Sequence, residues 1–188
     1  MKNLIIAAFA LVLAAAPAYA AEGDNLRIID KDTTYTVTTP EGDVIITRKM
    51  TSCAKNKGWL QPLIPAKGIN PVTEIEVLKA LNDKSFMVVD MREIDWYIKG
   101  TIPGAINIPY TEMSQRMDEF GCKKADGKWD CGAAKKVLGF CNGPVCPQSP
   151  QGMRAMVREG FPANKIYYYR GGMLDWDALG FTTVEGTM

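Results

Sequence analysis

Residues 33–49, TTYTVTTPEGDVIITRK, alternate apolar and polar positions on either side of Pro40-Glu41-Gly42-Asp43. A period of two broken by a turn signal predicts a two-stranded antiparallel hairpin. A lone hairpin is marginal in water, so this one is expected to pack against the main body or a partner. Residues 51–72 show no period and several Pro and Gly, which reads as a connecting loop. From Thr73 the pattern changes. Thr73 can cap the helix TEIEVLKALND, with Ile75, Val77, Leu78 and Leu81 as its apolar stripe. SFMVVD follows as a short buried strand, EIDWYIKG as a helical turn or two ending at Gly100, AINIP as a strand, and TEMSQRMDEF as a helix. KVLGF is a third strand and runs directly into Cys141. Ser149 is a candidate N-cap with Pro150 in the first helical position, and Met153, Met156 and Val157 then face the sheet until Gly160 stops the helix. KIYYY is a fourth strand and GGMLDWDALG a closing helix. Strands alternating with helices of this length predict an α/β fold, a mostly parallel sheet flanked by helices on both faces, with the hairpin as an N-terminal extension. Ligands of such sheets bind beyond the carboxyl ends of the strands, where Cys141 stands.

The first residues, MKNLIIAAFALVLAAAPAYA, combine Lys2, an apolar run from Leu4 to Ala16 and an A-x-A pattern at Ala18 and Ala20. They read as a secretory signal peptide cut after Ala20, because the run falls short of the roughly 20 residues a membrane span needs. The expected organisation is 1–20 signal peptide, 21–71 hairpin and loop, and 72–184 the α/β domain, with the mature protein in the periplasm and no span left in it. Of 22 Lys+Arg, removal of Lys2 leaves 21, equal to the 21 Asp+Glu. A neutral chain without a basic stripe makes nucleic acid an unexpected partner. No histidine occurs, which excludes His-assisted nucleophiles and His-ligated metals.

The chemistry then rests on five cysteines. Export to an oxidising compartment favours pairing, and the odd number leaves one thiol over. Cys122 and Cys131 bracket KKADGKWD, whose Asp126-Gly127 is a hairpin signal, so a structural disulfide closing that insertion is expected. Zinc held by four cysteines fits poorly, since the spacings do not match C-x2-C knuckles. Cys53 becomes the odd thiol. Cys141 sits between a strand end and a helix N-terminus, where backbone N–H groups and the helix dipole favour a thiolate and make it a candidate nucleophile. A buried structural cysteine is the plain alternative. A phosphatase-type C-x5-R loop is excluded, because the sixth position after Cys141 is Pro147.

Three segments around this loop carry a resemblance. Asp90 and Arg92 in VVDMR, Gly100 to Pro109 in GTIPGAINIP, and Tyr169 to Trp176 in YRGGMLDW stand in the order and spacing of the rhodanese family. The similarity covers roughly residues 72–184. It implies a sulfurtransferase in which Cys141 attacks a sulfane donor, carries the sulfur as a persulfide and passes it to a thiophilic acceptor. It further implies a cradle of backbone amides from Asn142, Gly143, Val145, Gln148 and Ser149, with Asp90 and Arg92 as a supporting pair. No cofactor or metal is expected, and the partners are a small sulfur-containing substrate or a protein thiol acceptor. Thr101 stands where the family often has histidine, at a structural position.

Two departures shape the expected chemistry. Between Asn142 and Ser149 no cationic side chain occurs, and Pro144 and Pro147 lack an N–H, leaving six amide donors of eight. Arg92 and Arg170 are the candidate substrate-binding cations outside the loop, with Arg154 one turn into the helix as a further contributor, and a persulfide or polysulfide is at least as good a donor as thiosulfate. Cys146 lies inside the cradle, where it can act as a resolving or regulatory thiol toward Cys141 or form a standing disulfide with it. Two other functions stay open on sequence: a thiol-disulfide oxidoreductase or redox sensor built on that pair, and a non-enzymatic sulfur carrier or binding module.

Overall fold

Thr34–Thr39 (β1) and Gly42–Thr47 (β2) pair antiparallel, with Tyr35 opposite Ile46 and Val37 opposite Val44. This is the hairpin the alternation predicts. The register puts these four apolar residues on one face, and Tyr35, Val44 and Ile46 are exposed. The computed structural model describes residues 34–47 and 60–187. The leader-like segment and Cys53 lie outside the described residues.

The domain begins with Asn70–Val72 (β3), Glu74–Leu81 (α1), Phe86–Asp90 (β4), Ile94–Lys99 (α2) and Ile106–Asn107 (β5). An inserted hairpin, Lys123–Ala125 (β6) with Lys128–Asp130 (β7), precedes Lys136–Phe140 (β8). Gln148–Arg158 (α3), Ile166–Tyr169 (β9) and Gly172–Ala178 (α4) complete the chain. The five-stranded sheet runs β3-β9-β8-β4-β5 with every pairing parallel. From β4 the chain steps outward to β5 and then returns to place β8 on the other side of β4. That reversal opens a crevice beyond the carboxyl ends of β4 and β8, where Asp90 and Phe140 are paired.

Side chains alternate across the sheet and divide the core. Val89, Val137, Ile166 and Tyr168 pack with Met153 and Met156 of α3 and with Met117, Phe120 and Phe161. Val88, Leu138, Phe140 and Tyr169 face the other way, toward Val77 and Ala80 of α1 and Met173 and Trp176 of α4. The near-continuous apolar strands of the sequence follow from burial on both faces. Among the described residues no helix is long and apolar enough to cross a membrane.

Four local expectations change. TEMSQRMDEF is not an α-helix: turns lead into a 3-10 helix at Met117–Phe120, ended by Gly121 in the left-handed region. Its backbone bonds run mainly three residues back, as from Glu112 to Pro109 and from Gln115 to Glu112. Met113, Met117 and Phe120 are all buried, so the apolar spacing is met without an α-helix. The connecting loop ends in β3, an edge strand that tolerates Pro71 because one of its sides pairs with nothing. In α1, Val77 and Ala80 are buried, whereas Ile75 and Leu78 are exposed. Finally, α3 starts at Gln148 with Pro147 as its N-cap, so Ser149 lies inside the helix and does not cap it.

Cys122 and Cys131 form the expected disulfide. Both are buried in the core under the inserted hairpin. Replacing both by serine is expected to lower stability by about 2–3 kcal/mol through loop closure, read as a shift of the urea midpoint. Chemistry at Cys141 should survive, because the hairpin lies outside the loop that follows β8.

Candidate active site

The strand end and the helix start place Cys141 and Ser149 at the two ends of one loop. Cys141 is 1% exposed, and the Ser149 hydroxyl, itself fully buried, donates to Cys141 Sγ at 3.1 Å. The first turn of α3 thus spends this hydroxyl on sulfur, which is the physical reason it does not serve as a cap. The Cys146 N–H donates to the Gly143 carbonyl at 2.9 Å, a tight turn that folds Cys146 back over Cys141. The Cys141 thiol donates to the Cys146 carbonyl, 3.4 Å away. Both thiols are free.

The electrostatics of this pair differ from the expectation that the cradle ionises Cys141. Burial pushes the Cys141 thiol well up, reinforced by the neighbouring Cys146. Cys146 is lowered to about 7, first by the hydrogen bond from Cys141 and then, against its own burial, by the amides of Gln148 and Asn142 and the charge of Arg92. The correction has a geometric cause. The loop turns so that these amides converge on the sulfur nearer the surface, 7% exposed, while the strand-end sulfur is shut away from water. Cys146 is therefore the more acidic thiol of the pair. The Cys146 thiol donates to Gln148 Oε1 at 3.7 Å.

The loop is held from three sides. Asp90, fully buried, accepts from the Arg92 amide at 3.0 Å, from Arg92 Nε at 2.9 Å, from Arg92 Nη2, and from the Thr101 hydroxyl at 2.8 Å. Arg92 then donates through Nη2 to the Gly100 carbonyl and through Nη1 to Asn142 Oδ1 at 3.3 Å. Its guanidinium is committed to the protein, so Arg92 positions the loop and is not a free anion receptor. Thr101 supplies Asp90 with a donor. On the second side, α4 abuts the loop: Met173 and Leu174 amides donate to the Cys141 and Asn142 carbonyls at 3.0 and 2.9 Å. On the third, the Gln61 amide donates to the Pro144 carbonyl at 2.8 Å, and Arg170 Nη1 donates to the Gln61 carbonyl at 3.3 Å. Arg170 therefore secures the segment before β3 through Nη1.

Val145 is half-buried near the loop tip, and Gly143 is buried against Leu174, where a Cβ would lie 2.7 Å from Leu174 Cδ1. Beside the loop lies a cleft of about 280 Å³ lined by Arg92, Trp96, Lys99, Asn142 and Leu174. Neither thiol lines it. Trp96 and Lys99 were not legible as site residues; the one available signal was their place on α2, directly after the Asp90–Arg92 segment.

A parallel α/β sheet with a cysteine at the end of a central strand, wrapped by a loop that leads into a helix, defines a class of thiol-bearing domain. The comparisons state which: a rhodanese-like domain model matches residues 73–179, and the chain belongs to that family. It is 28% identical over 115 residues to an HTH-type transcriptional regulator of Mycobacterium tuberculosis, covering 61% of this chain and 45% of that protein. It is 29% identical over 113 residues to thiosulfate sulfurtransferase/rhodanese-like domain-containing protein 3 of Mus musculus, covering 56% of this chain and 66% of that protein. The chain thus spans less than two thirds of either relative. A crystal structure of a thiosulfate sulfurtransferase from Pseudomonas aeruginosa superposes with a TM-score of 0.47 at 21% identity, covering 71% of this chain and 26% of that one.

Proposed function

We propose that this protein is a sulfurtransferase that accepts sulfane sulfur on Cys141 as a persulfide and passes it to a thiol or other thiophilic acceptor. The observation that carries the reading is the thiol pair itself: Cys141, held by the Ser149 hydroxyl at 3.1 Å and by the Cys146 carbonyl at 3.4 Å, shares its loop with Cys146, whose thiol is lowered to about 7. Cys146 takes the Cys141 proton as Cys141 attacks the outer sulfur of the donor. The donor's remaining thiolate or sulfite leaves with the bonding electrons. The acceptor then attacks the outer sulfur of the persulfide, and Cys141 leaves as a thiolate stabilised by the Ser149 hydroxyl.

The donor is a persulfide or polysulfide in preference to thiosulfate. Of the six amide donors in the loop, that of Cys146 is spent on Gly143, leaving five, and no loop side chain is cationic. Export to an oxidising compartment is part of the proposal, supported by the signal-like residues 1–20 and by the Cys122–Cys131 disulfide.

The test is the initial rate of thiocyanate formation from polysulfide and cyanide. Cys141→Ser is expected to fall to the uncatalysed rate. In the unsubstituted protein the rate should rise with pH through about 7 and then level, because the thiolate that accepts the proton is fully formed only above that value. Full activity in Cys141→Ser would refute the assignment, and a rate at background in the unsubstituted protein would refute the activity.

A further inference from the structure

A sulfur transferred to Cys141 arrives beside a second thiol that ordinary transfer does not consume. Cys146 is covalently only five positions away, is brought back by its own amide bond to Gly143, and already accepts from Cys141 Sγ through its carbonyl at 3.4 Å. The Cys141 sulfur is shut off from water while Cys146 is the more accessible of the two. An external thiol can therefore reach the outer sulfur of a persulfide, but the inner sulfur faces a nucleophile from within the loop. The amides of Gln148 and Asn142 support the charge that this nucleophile needs.

We infer that the protein also reduces sulfane sulfur: Cys146 attacks the inner sulfur of the Cys141 persulfide, closes a Cys141–Cys146 disulfide and releases hydrosulfide. The inference rests on the sulfur-transfer reading, since it needs the persulfide. The step balances as Cys141–S–SH plus Cys146–S⁻ giving Cys141–S–S–Cys146 plus HS⁻. The bond between Cys141 Sγ and the outer sulfur breaks, and its electrons leave with hydrosulfide. The new Sγ–Sγ bond forms from the Cys146 lone pair. The outer sulfur is reduced and the two cysteines are oxidised. A dithiol, small or carried on a protein, restores the pair by two successive thiol-disulfide exchanges. Acceptor supply then decides the outcome: a thiophile that arrives quickly takes the sulfur, and otherwise the loop releases it as sulfide and locks until reduced.

The local geometry suits a reversible bond. The loop between the cysteines contains Gly143 and Pro144 and lies on the surface side of the sheet, with Asn142, Pro144 and Val145 half-buried. The bond would close within this turn, between Cys141 after the end of β8 and Cys146 just before α3.

The experiment uses the reduced full chain, freed of reductant, given polysulfide without any acceptor. Sulfide release and peptide masses are followed together. The expected result is about one hydrosulfide per chain, loss of two hydrogens across the peptides of Cys141 and Cys146, and continuous sulfide release once dithiothreitol is added, above its direct reaction with polysulfide. In Cys146→Ser, and in Cys146→Ala as a second variant, one added sulfur should persist on Cys141, loading more slowly, with the enzyme-dependent sulfide lost. The inference is overturned if the unsubstituted protein retains an added sulfur on Cys141 with Cys146 still alkylatable and no sulfide released, while thiocyanate forms from cyanide; sulfur transfer then stands alone. If no sulfur is taken up and no thiocyanate forms, both readings fall.

Discussion

Asp90→Ala is expected to destabilise the domain by about 3–5 kcal/mol, the cost of leaving one member of a buried ion pair without the other. Asp90 is completely buried, and Arg92 is 3% exposed. Loss of the carboxylate strands the Arg92 guanidinium and orphans the Thr101 hydroxyl in the same step. Because Arg92 Nη1 also reaches Asn142, the effect spreads from the end of β4 to the loop after β8. Asp90→Asn keeps the shape but not the charge and should fall between. Urea unfolding measures the loss, and a cost below about 1 kcal/mol, the range of exposed pairs, would show that water replaces the carboxylate. Sulfur transfer by the folded fraction should also slow, as Asn142 loses its anchor.

Gly172→Ala carries the second large effect, and it falls on activity. A Cβ at Gly172 would lie 2.2 Å from the Cys141 carbonyl oxygen and 2.8 Å from the Gly143 nitrogen, in a backbone with φ +57°. Both neighbours are backbone, so neither can turn aside. The start of α4 must withdraw, lengthening the bonds from the Met173 and Leu174 amides to the loop carbonyls. A displacement near 1 Å at a reacting group can reduce rate by roughly a hundredfold, and left-handed strain adds about 1–2 kcal/mol of instability. Gly100→Ala is the contrast. It lies in the same group of signature segments, yet its backbone is extended and a Cβ there meets nothing within 4 Å. Its stability should stay within about 0.5 kcal/mol of the parent. Equal losses in the two variants would show that contact with the loop is not what Gly172 is for.

These two residues also show what the signature segments mean physically. Asp90 at the end of β4 with Arg92 behind it, and Gly172 at the start of α4, converge on one loop from positions far apart in sequence. The first two hold it by charge and hydrogen bonds, and the last by the absence of a side chain. Their spacing in the chain reports that convergence without showing its geometry.

What the sequence determined by itself is what depends on neighbours along the chain. The hairpin at 33–49 was legible because period-two alternation and a turn signal lie side by side. The Cys122–Cys131 bond followed from an Asp-Gly turn between the cysteines, and the place of Cys141 from an apolar strand that runs straight into it. Local reading failed where competing partners were distant. Ser149 looks like a cap until Cys141 is folded against it, Arg92 looks like an anion receptor until Asp90, Gly100 and Asn142 claim it, and β3 has too few residues to show a period. Which of the two loop thiols is the more acidic was decided only by the tertiary structure. Ionisation follows burial and the direction of amide dipoles, and the fold buries Cys141 while it turns the dipoles of Asn142 and Gln148, with the charge of Arg92, toward Cys146.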